Sequence, residues 1–182
     1  MDPGSERRRG IDPDRVLAGW ERPVYMVHEH HSRSHHFDLR LEFDGVLRSW
    51  AVPKGLSTEA GVRRLAMEVP DHALSYAPFE GEIPEGSYGA GKVEVWDRGT
   101  FDVLEQAPDR LVLAIRGRRV QGVYHLVRAA FRDRADGRSW LVSLQAPLPK
   151  GPATPAQPAK GLGRRPTRTT TPHARRHVSR QP

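Results

Sequence analysis

The chain has 182 residues, no cysteine and a formal net charge of +7. This length allows one domain with a hydrophobic core but not two sizeable domains with linkers, and the lack of cysteine excludes disulfides and thiolate metal sites. Because no apolar run could cross a bilayer and no apolar signal segment follows the charged N-terminus, we expect a cytoplasmic protein without a membrane partner.

Residues 1–20 are predicted to form a flexible N-terminal segment that contains a short helix. Asp12-Pro13-Asp14 favours a helix start, and the helix would run through Arg15–Trp20. The next segment, Val24–His30, is predicted to be a strand. His28 and His30 would share one face of it because they are two residues apart.

Residues 36–43 alternate strictly between ionisable and apolar side chains, as expected for a half-buried β-strand. The apolar face consists of Phe37, Leu39, Leu41 and Phe43, and the opposite face presents His36, Asp38 and Arg40. Asp44-Gly45 is typical of a tight hairpin turn, which leads into a strand over Val46–Val52.

The rest of the body also favours short strands. We predict a strand over Arg64–Val69, a loop bearing Asp71, His72 and Tyr76, and an irregular loop over Gly81–Gly91. Further strands are predicted over Lys92–Asp97, Phe101–Glu105, Leu111–Ile115, Gly122–Ala130 and Ser139–Gln145. Such a pattern predicts an all-β, mainly antiparallel sandwich or barrel over residues 21–147.

Residues 148–182 are predicted to be a disordered basic tail rich in proline and arginine. The part from Lys150 to Pro182 contributes +8 to the formal charge, which leaves −1 for the rest of the chain. With so few large apolar side chains, the tail cannot offset the entropy of ordering. It is equally consistent with a salt-sensitive contact to nucleic-acid phosphates and with a solubilising appendage.

The candidate catalytic centre is the cluster of five histidines between His28 and His36. His30, His36 and Asp38 form a donor set suited to Mn²⁺, Fe²⁺ or Zn²⁺, provided that residues 31–35 reverse the chain. Arg40, on the same face as Asp38, could bind phosphate oxygens. Each of these residues alone is more often structural, but their density and common register favour a functional site.

Three further residues are weaker candidates on the sequence alone. His72 could donate a proton or a hydrogen bond to phosphate, but taken by itself it is better explained as a loop histidine that caps a turn after Asp71. Arg64 could be a solvated strand residue, and Tyr76 could be a core anchor.

The run from His30 to Gly55 closely resembles the 3′-phosphoesterase domain of bacterial ligase D, a multifunctional end-joining ligase. The likeness extends over roughly residues 24–144 and continues in Arg64-Leu65-Ala66, Asp71-His72-Ala73-Leu74-Ser75-Tyr76, Phe79-Glu80-Gly81, Ile83-Pro84-Glu85-Gly86, Tyr88-Gly89 and Val95-Trp96-Asp97-Arg98-Gly99. Several separate motifs thus occur in the family's order.

This resemblance implies a compact β-barrel with one or two short flanking helices, and a Mn²⁺-dependent hydrolase that heals DNA or RNA-tipped DNA 3′ ends. Co²⁺ or Zn²⁺ could replace the manganese. The family's activities are a 3′-phosphatase and a 3′-ribonuclease, and its partners would include an end-joining ligase or polymerase or a Ku-like protein. A monomer associated with the nucleoid is expected, either as a stand-alone form or as an excised domain.

The resemblance also implies roles for individual residues. His30, His36 and Asp38 fall on the metal ligands, and Arg40, Arg64 and His72 fall on phosphate-binding positions, with catalytic roles implied for Arg40, His72 and Tyr76. His28 stands where the family commonly has a phosphate-binding glutamine.

The N-terminal segment departs from the family. Ligase D domains carry an Arg-Asp pair and a Glu there, which Asp14, Arg15 and Glu21 match only loosely. Ribonucleoside removal is therefore less supported than phosphate removal. Two alternatives stay open: a cupin-like metal enzyme acting on a small molecule, suggested by His28-x-His30, and a catalytically silent DNA-binding module.

Overall fold

The computed structural model describes residues 17–129 and 137–148. Nine strands and one 3₁₀ turn occur in these residues. In chain order they are β1 (Val24–His31), β2 (His36–Phe43), β3 (Val46–Val52), β4 (Arg64–Ala73), the 3₁₀ turn (Leu74–Tyr76), β5 (Gly81–Ile83), β6 (Gly91–Ala107), β7 (Arg110–Gly117), β8 (Gln121–Arg128) and β9 (Ser139–Ala146).

Eight of the strands close into a barrel. Neighbouring strands follow the order β1-β2-β3-β4-β9-β8-β7-β6, and β6 pairs with β1 to complete the ring. All of these pairings are antiparallel, and the short β5 adds to the beginning of β6. The predicted all-β, mainly antiparallel barrel is confirmed.

The barrel interior holds the main hydrophobic core. Trp50 and Trp140 are fully buried there and meet edge to face, with ring centroids 6.0 Å apart. Leu39 and Leu41, two of the predicted inward positions of β2, are also fully buried in this core. The alternation along β2 therefore assigns its two faces correctly.

A second, smaller apolar cluster covers part of the outer wall. It combines outward-facing residues of β1 and β3 with the segment before β1 and the 3₁₀ turn; its buried members are Leu17, Val24, Met26, Leu47, Leu74 and Ala77. Tyr76 and Trp20 pack against it. This cluster fixes the 3₁₀ turn, and with it Tyr76, beside the outward-facing polar residues of β1 and β2.

The buried carboxylate of Asp97 ties the seam between β6 and β1 to the turn after β7. One of its oxygens accepts hydrogen bonds from the backbone N–H groups of Arg118 and Arg119, at 2.8 and 3.0 Å. The other accepts from the N–H of Val120 at 2.9 Å and from the hydroxyl of Tyr25 at 3.2 Å. Strand β1, strand β6 and the β7–β8 turn therefore share one anchor.

Three predicted boundaries are wrong. His72 lies in β4, opposite Leu47, rather than in a loop, because the β3–β4 register shifts near Pro70 and the ladder tolerates a proline at such an irregularity. Strand β6 is continuous where two strands were predicted. Gly99 lies inside this strand and does not end it. Strand β7 packs so closely against β6 here that a Cβ at position 99 would lie 1.9 Å from the carbonyl oxygen of Arg116, so only glycine fits. Part of the predicted Gly81–Gly91 loop forms β5.

The helical predictions concern short segments. The described part of the predicted N-terminal helix, residues 17–20, is a turn in which Trp20 N donates to the Leu17 carbonyl oxygen at 2.9 Å. Residues 1–16 and the predicted tail from residue 149 lie outside the described residues. Within the described part, no helix is long and apolar enough to span a bilayer.

Candidate active site on the outer wall of the barrel

The β1–β2 hairpin assembles the histidine cluster. Residues 32–35 reverse the chain, and the resulting register pairs His30 with His36 and His28 with Asp38. Directly paired residues of antiparallel strands project from the same face. Their side chains therefore lie on the outer wall, opposite the face that packs into the core.

His30, His36 and Asp38 present one donor atom each within 4.8 Å of one another. Asp38 Oδ2 lies 3.9 Å from His30 Nδ1, and Asp38 Oδ1 lies 3.5 Å from His36 Nε2. His36 Nδ1 is 2.7 Å from the Ser34 carbonyl oxygen and donates to it, which leaves Nε2 as the donor atom that faces Asp38.

These three residues fit a divalent transition metal. Two imidazoles and one carboxylate are a common ligand set that leaves coordination positions open. Nδ1 is the ring nitrogen of His30 that lies 3.9 Å from Asp38 Oδ2, and the buried Nε2 has no hydrogen-bond partner within the described residues. His30 Nδ1 and His36 Nε2 therefore face the same carboxylate, as a shared metal ion requires.

The charges of the cluster are coupled. Burial lowers the pKa of His30, whereas the hydrogen bond to Asp38 raises the pKa of His36. Burial alone would raise the pKa of Asp38, but His36 and Arg40 outweigh it and lower that pKa. Asp38 is therefore an ionised carboxylate at neutral pH.

Arg40 is the centre of a buried network and is only 3% exposed. Its Nε donates to His28 Nδ1 at 3.1 Å, and its Nη2 donates to Asp38 Oδ2 at 3.1 Å. Its Nη1 donates to Ser49 Oγ and to His72 Nδ1, both at 2.8 Å. Within the described residues, these bonds leave one of the five guanidinium N–H groups, on Nη2, for a further acceptor.

His28 is a neutral support of Arg40. Because Arg40 can only donate and the Ala77 carbonyl can only accept, His28 Nδ1 is unprotonated and Nε2 carries the proton, donating to that carbonyl at 3.1 Å. Burial and the Arg40 charge lower the pKa of His28 to about 4. Both ring nitrogens are engaged, so in this geometry neither is available to a metal or a phosphate.

His72 and Tyr76 complete the surroundings of Arg40. His72 accepts from Arg40 through Nδ1, and burial followed by the Arg40 charge lowers its pKa, so its ring is neutral at neutral pH. The Tyr76 ring lies 5.1 Å from the His72 ring and 4.9 Å from the Arg40 guanidinium carbon. The structure thus brings His28, His30, His36, Asp38, Arg40, His72 and Tyr76 together.

Arg64 and Glu21 lie in other surroundings. Arg64 is at the start of β4 and shares a groove with Pro53, Lys54 and Arg63. It lies two residues before the core residue Ala66, on the other side of the register shift from His72. Glu21 lies beside Trp20, in a groove that includes Arg98 and Arg116. Within residues 17–129 and 137–148, the hydrogen bonds of Arg40 go to His28, Asp38, Ser49 and His72, so the phosphate-binding role of Arg64 stays a prediction.

Two neighbours of Arg40 escaped the sequence analysis. Ser49 is fully buried, and its hydroxyl lies between Arg40 and His72, 3.4 Å from His72 Nδ1. Tyr88 is 85% exposed on the glycine-rich loop, where it contributes to raising the pKa of Arg40 and precedes Gly89, which lies beside the His30 ring. Ser49 could have been found from the hairpin register, whereas nothing in the local sequence links Tyr88 to Arg40.

The sequence profile of the DNA Ligase D 3′-phosphoesterase domain matches residues 28–128, which is more than half of the chain. The chain belongs to this family. The match includes every residue of the outer-wall site described above. Membership places the chain among phosphoesterases, which hydrolyse phosphoester bonds.

Three full-length relatives of this phosphoesterase family are named multifunctional non-homologous end joining proteins LigD. The protein from Mycobacterium tuberculosis is 46% identical over 122 residues, covering 65% of this chain and 15% of the relative. The Pseudomonas aeruginosa protein is 46% identical over 115 residues, covering 60% and 14%. The Mycolicibacterium smegmatis protein is 38% identical over 128 residues, covering 64% and 16%. This chain therefore matches about one-seventh of the length of each relative.

Proposed function

We propose that this phosphoesterase is a metal-dependent DNA 3′-phosphatase that heals 3′ ends for end joining. The main support is the position of Asp38. Its carboxylate faces both candidate metal-ligand imidazoles and also accepts a hydrogen bond from Arg40. A metal-ligand cluster beside an oriented guanidinium suits a phosphoryl group, which needs charge stabilisation on several oxygens at once.

His30, His36 and Asp38 would hold the metal, for which Mn²⁺ is proposed and Co²⁺ or Zn²⁺ are substitutes. When bound, such an ion supplies Lewis-acid polarisation of a phosphoryl oxygen and increases the nucleophilicity of water. The nucleophile in this proposal is water, since the described site contains no cysteine and its one serine, Ser49, is fully buried under Arg40.

Arg40 would stabilise the negative charge that develops on the phosphoryl oxygens. Its remaining Nη2–H is adjacent to the one that bonds to Asp38, so a phosphoryl oxygen beside the metal ligands lies within its reach. Ser49, His28 and His72 accept its other N–H groups and fix the plane of the guanidinium. This preorganisation means that the charge need not reorient during the reaction.

His72 would act as a neutral group. Since Nδ1 accepts from Arg40, the ring proton is on Nε2, from which it can form a hydrogen bond to a phosphoryl oxygen. Tyr76, in contact with both rings, would keep this pair in place. In this proposal His28 positions Arg40. The sequence had led us to expect that His28 itself would contact the phosphate.

The substrates, partners and location follow the same proposal. DNA 3′ ends, including RNA-tipped ones, would be the substrates, and removal of a terminal ribonucleoside would be a second activity. An end-joining ligase or polymerase or a Ku-like protein would be the partner, and a monomer in the cytoplasm, close to the nucleoid, would perform the reaction. The cupin-like alternative loses support because His28 of the His28-x-His30 pair has no free ring nitrogen.

The deciding experiment is phosphate release from a primer-template that ends in a 3′-phosphate, with Mn²⁺ added to the chelator-treated protein. We expect inorganic phosphate and a 3′-hydroxyl from the wild type, and a loss of at least about 100-fold in kcat from His36→Ala, which removes one metal ligand. His125→Ala, a half-buried histidine of β8, is the matched control and should retain activity.

Two outcomes would contradict the proposal. Absence of phosphate release by the wild type with fresh Mn²⁺ would favour the catalytically silent DNA-binding module. Wild-type turnover by a folded His36→Ala protein would show that this imidazole is not a ligand.

A further inference from the structure

Two histidines of the cluster have no part in the outer-wall site. His31 follows the candidate ligand His30 directly on β1, so its side chain points to the opposite face of the strand. His35 lies in the turn before β2. Both side chains are about half exposed, at 44% for His31 and 50% for His35.

Both imidazoles converge on the carboxylate of Glu29. His35 Nε2 lies 2.9 Å from Glu29 Oε1, and His31 Nε2 lies 3.8 Å from the same oxygen. The two rings are stacked, with centroids 4.9 Å apart and an interplanar angle of 20°. One donor atom from each of the three residues lies within 4.8 Å of the other two.

A second carboxylate lies beside this group on β6. Glu94 is the cross-strand partner of Glu29, and its Oε2 lies 3.3 Å from His31 Nε2. Two carboxylates at directly opposed positions destabilise a strand pair unless a cation lies near them. Lys92 Nζ contacts Glu94 at 2.8 Å, whereas the groups that contact Glu29 are the imidazoles of His31 and His35.

We propose that Glu29, His31, His35 and Glu94 form a second transition-metal site, of a kind suited to Zn²⁺, at the rim of the barrel. Bonds of about 2.0–2.1 Å in a tetrahedron place neighbouring donor atoms about 3.4 Å apart. The separations of Glu29 Oε1 from His35 Nε2 and His31 Nε2, 2.9 and 3.8 Å, bracket that distance, and Glu94 Oε2 would join from its position 3.3 Å from His31 Nε2. Two imidazoles favour Zn²⁺ over Mg²⁺ or Ca²⁺, which prefer all-oxygen sites.

An ion at this rim site would be structural and would act on the outer-wall site through the turn. It would join β1, β6 and the β1–β2 turn, which are separate segments of the barrel rim. The same turn carries the Ser34 carbonyl that fixes the orientation of His36. Filling the rim site would therefore stabilise the donor geometry of His36 from the opposite side of the sheet.

The test is Zn²⁺ binding to the full chain, measured by titration calorimetry, with Co²⁺ absorption as an independent report on coordination. All proteins carry His173→Ala and His177→Ala, so that these two tail histidines cannot contribute. We expect two strong Zn²⁺ equivalents for this parent, one for the parent with His36→Ala, and one for the parent with His31→Ala and His35→Ala. His125→Ala, the matched control, should leave two.

The decisive protein combines His36→Ala with His31→Ala and His35→Ala, and it should bind no Zn²⁺ strongly. Retained binding by this protein, or no binding by the parent with His36→Ala alone, would overturn the rim site. In the His36→Ala background, Zn²⁺ should also raise the thermal unfolding midpoint, and the rise should disappear with His31→Ala and His35→Ala. Because these readouts do not involve catalysis, their outcome is independent of the phosphatase proposal.

Discussion

At the scale of single residues, the site depends on the protonation of histidines around one arginine. His28 and His72 both accept hydrogen bonds from Arg40, and an imidazole can do so only while the accepting nitrogen is unprotonated. Protonation of either ring would break its bond to Arg40 and place two cations side by side. The network therefore requires neutral rings, and burial lowers the pKa of both histidines accordingly.

This requirement predicts a loss of stability in acid. The pKa of His28 is about 4 in the folded protein and 6.5 in an unfolded chain, so the unfolded state binds more protons between these values. The stabilisation is complete above pH 6.5 and is lost as the pH falls toward 4, by at most about 3 kcal/mol. Urea unfolding of the chelator-treated protein at pH 7 and pH 4.5 measures this loss.

His28→Gln is the informative variant, because an amide can accept from Arg40 and donate to the Ala77 carbonyl without titrating. Its stability at pH 7 should stay close to that of the wild type, and its loss between pH 7 and pH 4.5 should be clearly smaller. His125→Gln should keep the wild-type profile. An identical acid loss in His28→Gln would mean that His28 does not titrate with folding.

Tyr88 gives a prediction about substrate binding. Tyr88 is 85% exposed and precedes Gly89, which lies beside the His30 ring, so we expect a terminal base of the substrate to stack on Tyr88. Stacking of about 1–3 kcal/mol per base corresponds to a rise in KM of roughly 5- to 100-fold for Tyr88→Ala. Tyr88→Phe, which keeps the ring, should behave like the wild type.

The contrast between substrates tests this interpretation. The effect of Tyr88→Ala should appear with a 3′-phosphate primer and be absent with para-nitrophenyl phosphate, which has no base. Equal KM values for wild type and Tyr88→Ala on the primer would contradict a stacking role. Thermal unfolding should be unchanged, since so exposed a side chain contributes little packing.

At the scale of strands and turns, the closure of the barrel depends on Asp97. Its carboxylate accepts from three consecutive N–H groups of the β7–β8 turn and from the Tyr25 hydroxyl. Asp97→Asn would turn an amide NH₂ toward some of these donors, which would then lose their acceptor. We expect a loss of about 2–4 kcal/mol in the free energy of unfolding, measured with urea.

Asp102→Asn is the matched control. Asp102 pairs with Arg116 on the half-exposed outer surface, where an ion pair contributes at most about 1 kcal/mol. Similar losses for the two variants would show that Asp97 does not anchor the turn.

Much of the hairpin that carries the site could be predicted from its turn. Asp44 and Gly45 have φ angles of 48° and 84°, the positive values of a two-residue type I′ turn. Such a turn pairs Phe43 with Val46 and, three residues further along each strand, Arg40 with Ser49. The pairing of Ser49 with Arg40 could therefore have been predicted from the sequence, as the two faces of β2 were.

The position of His72 was not available in the same way. Pro70 indicates a strand end in the local sequence, but the register shift in the β3–β4 ladder lets the strand continue past it. The contact between His72 and Arg40 joins residues 32 positions apart and depends on this irregularity. Local patterns do not encode such a shift, which depends on the packing of the whole wall.

At the scale of the whole molecule, the net positive charge is concentrated in the C-terminal segment, and the rest of the chain is nearly neutral. Lys150–Pro182 contributes +8 of formal charge, so its deletion changes the total from +7 to −1. If this basic segment contacts DNA phosphates, the deletion should weaken DNA binding and flatten its dependence on salt, because fewer counterions are released. Fluorescence anisotropy at several salt concentrations measures both effects, and catalysis at saturating substrate should be unchanged.

A segment that only confers solubility predicts no change in DNA binding when it is deleted. The salt dependence of DNA binding would then be the same with and without the segment. A chain with the tail arginines replaced by glutamine keeps the length and separates the effect of charge from that of chain length.

The outer-wall location of the site separates activity from folding. Along β2, His36, Asp38 and Arg40 face outward, whereas Leu39 and Leu41 fill the core between them. In the proposed function, chemistry and folding thus use alternate side chains of one strand. If the proposed function holds, His36→Ala should yield a folded protein without phosphatase activity that still binds the 3′-phosphate primer, which makes this variant suitable as a substrate trap.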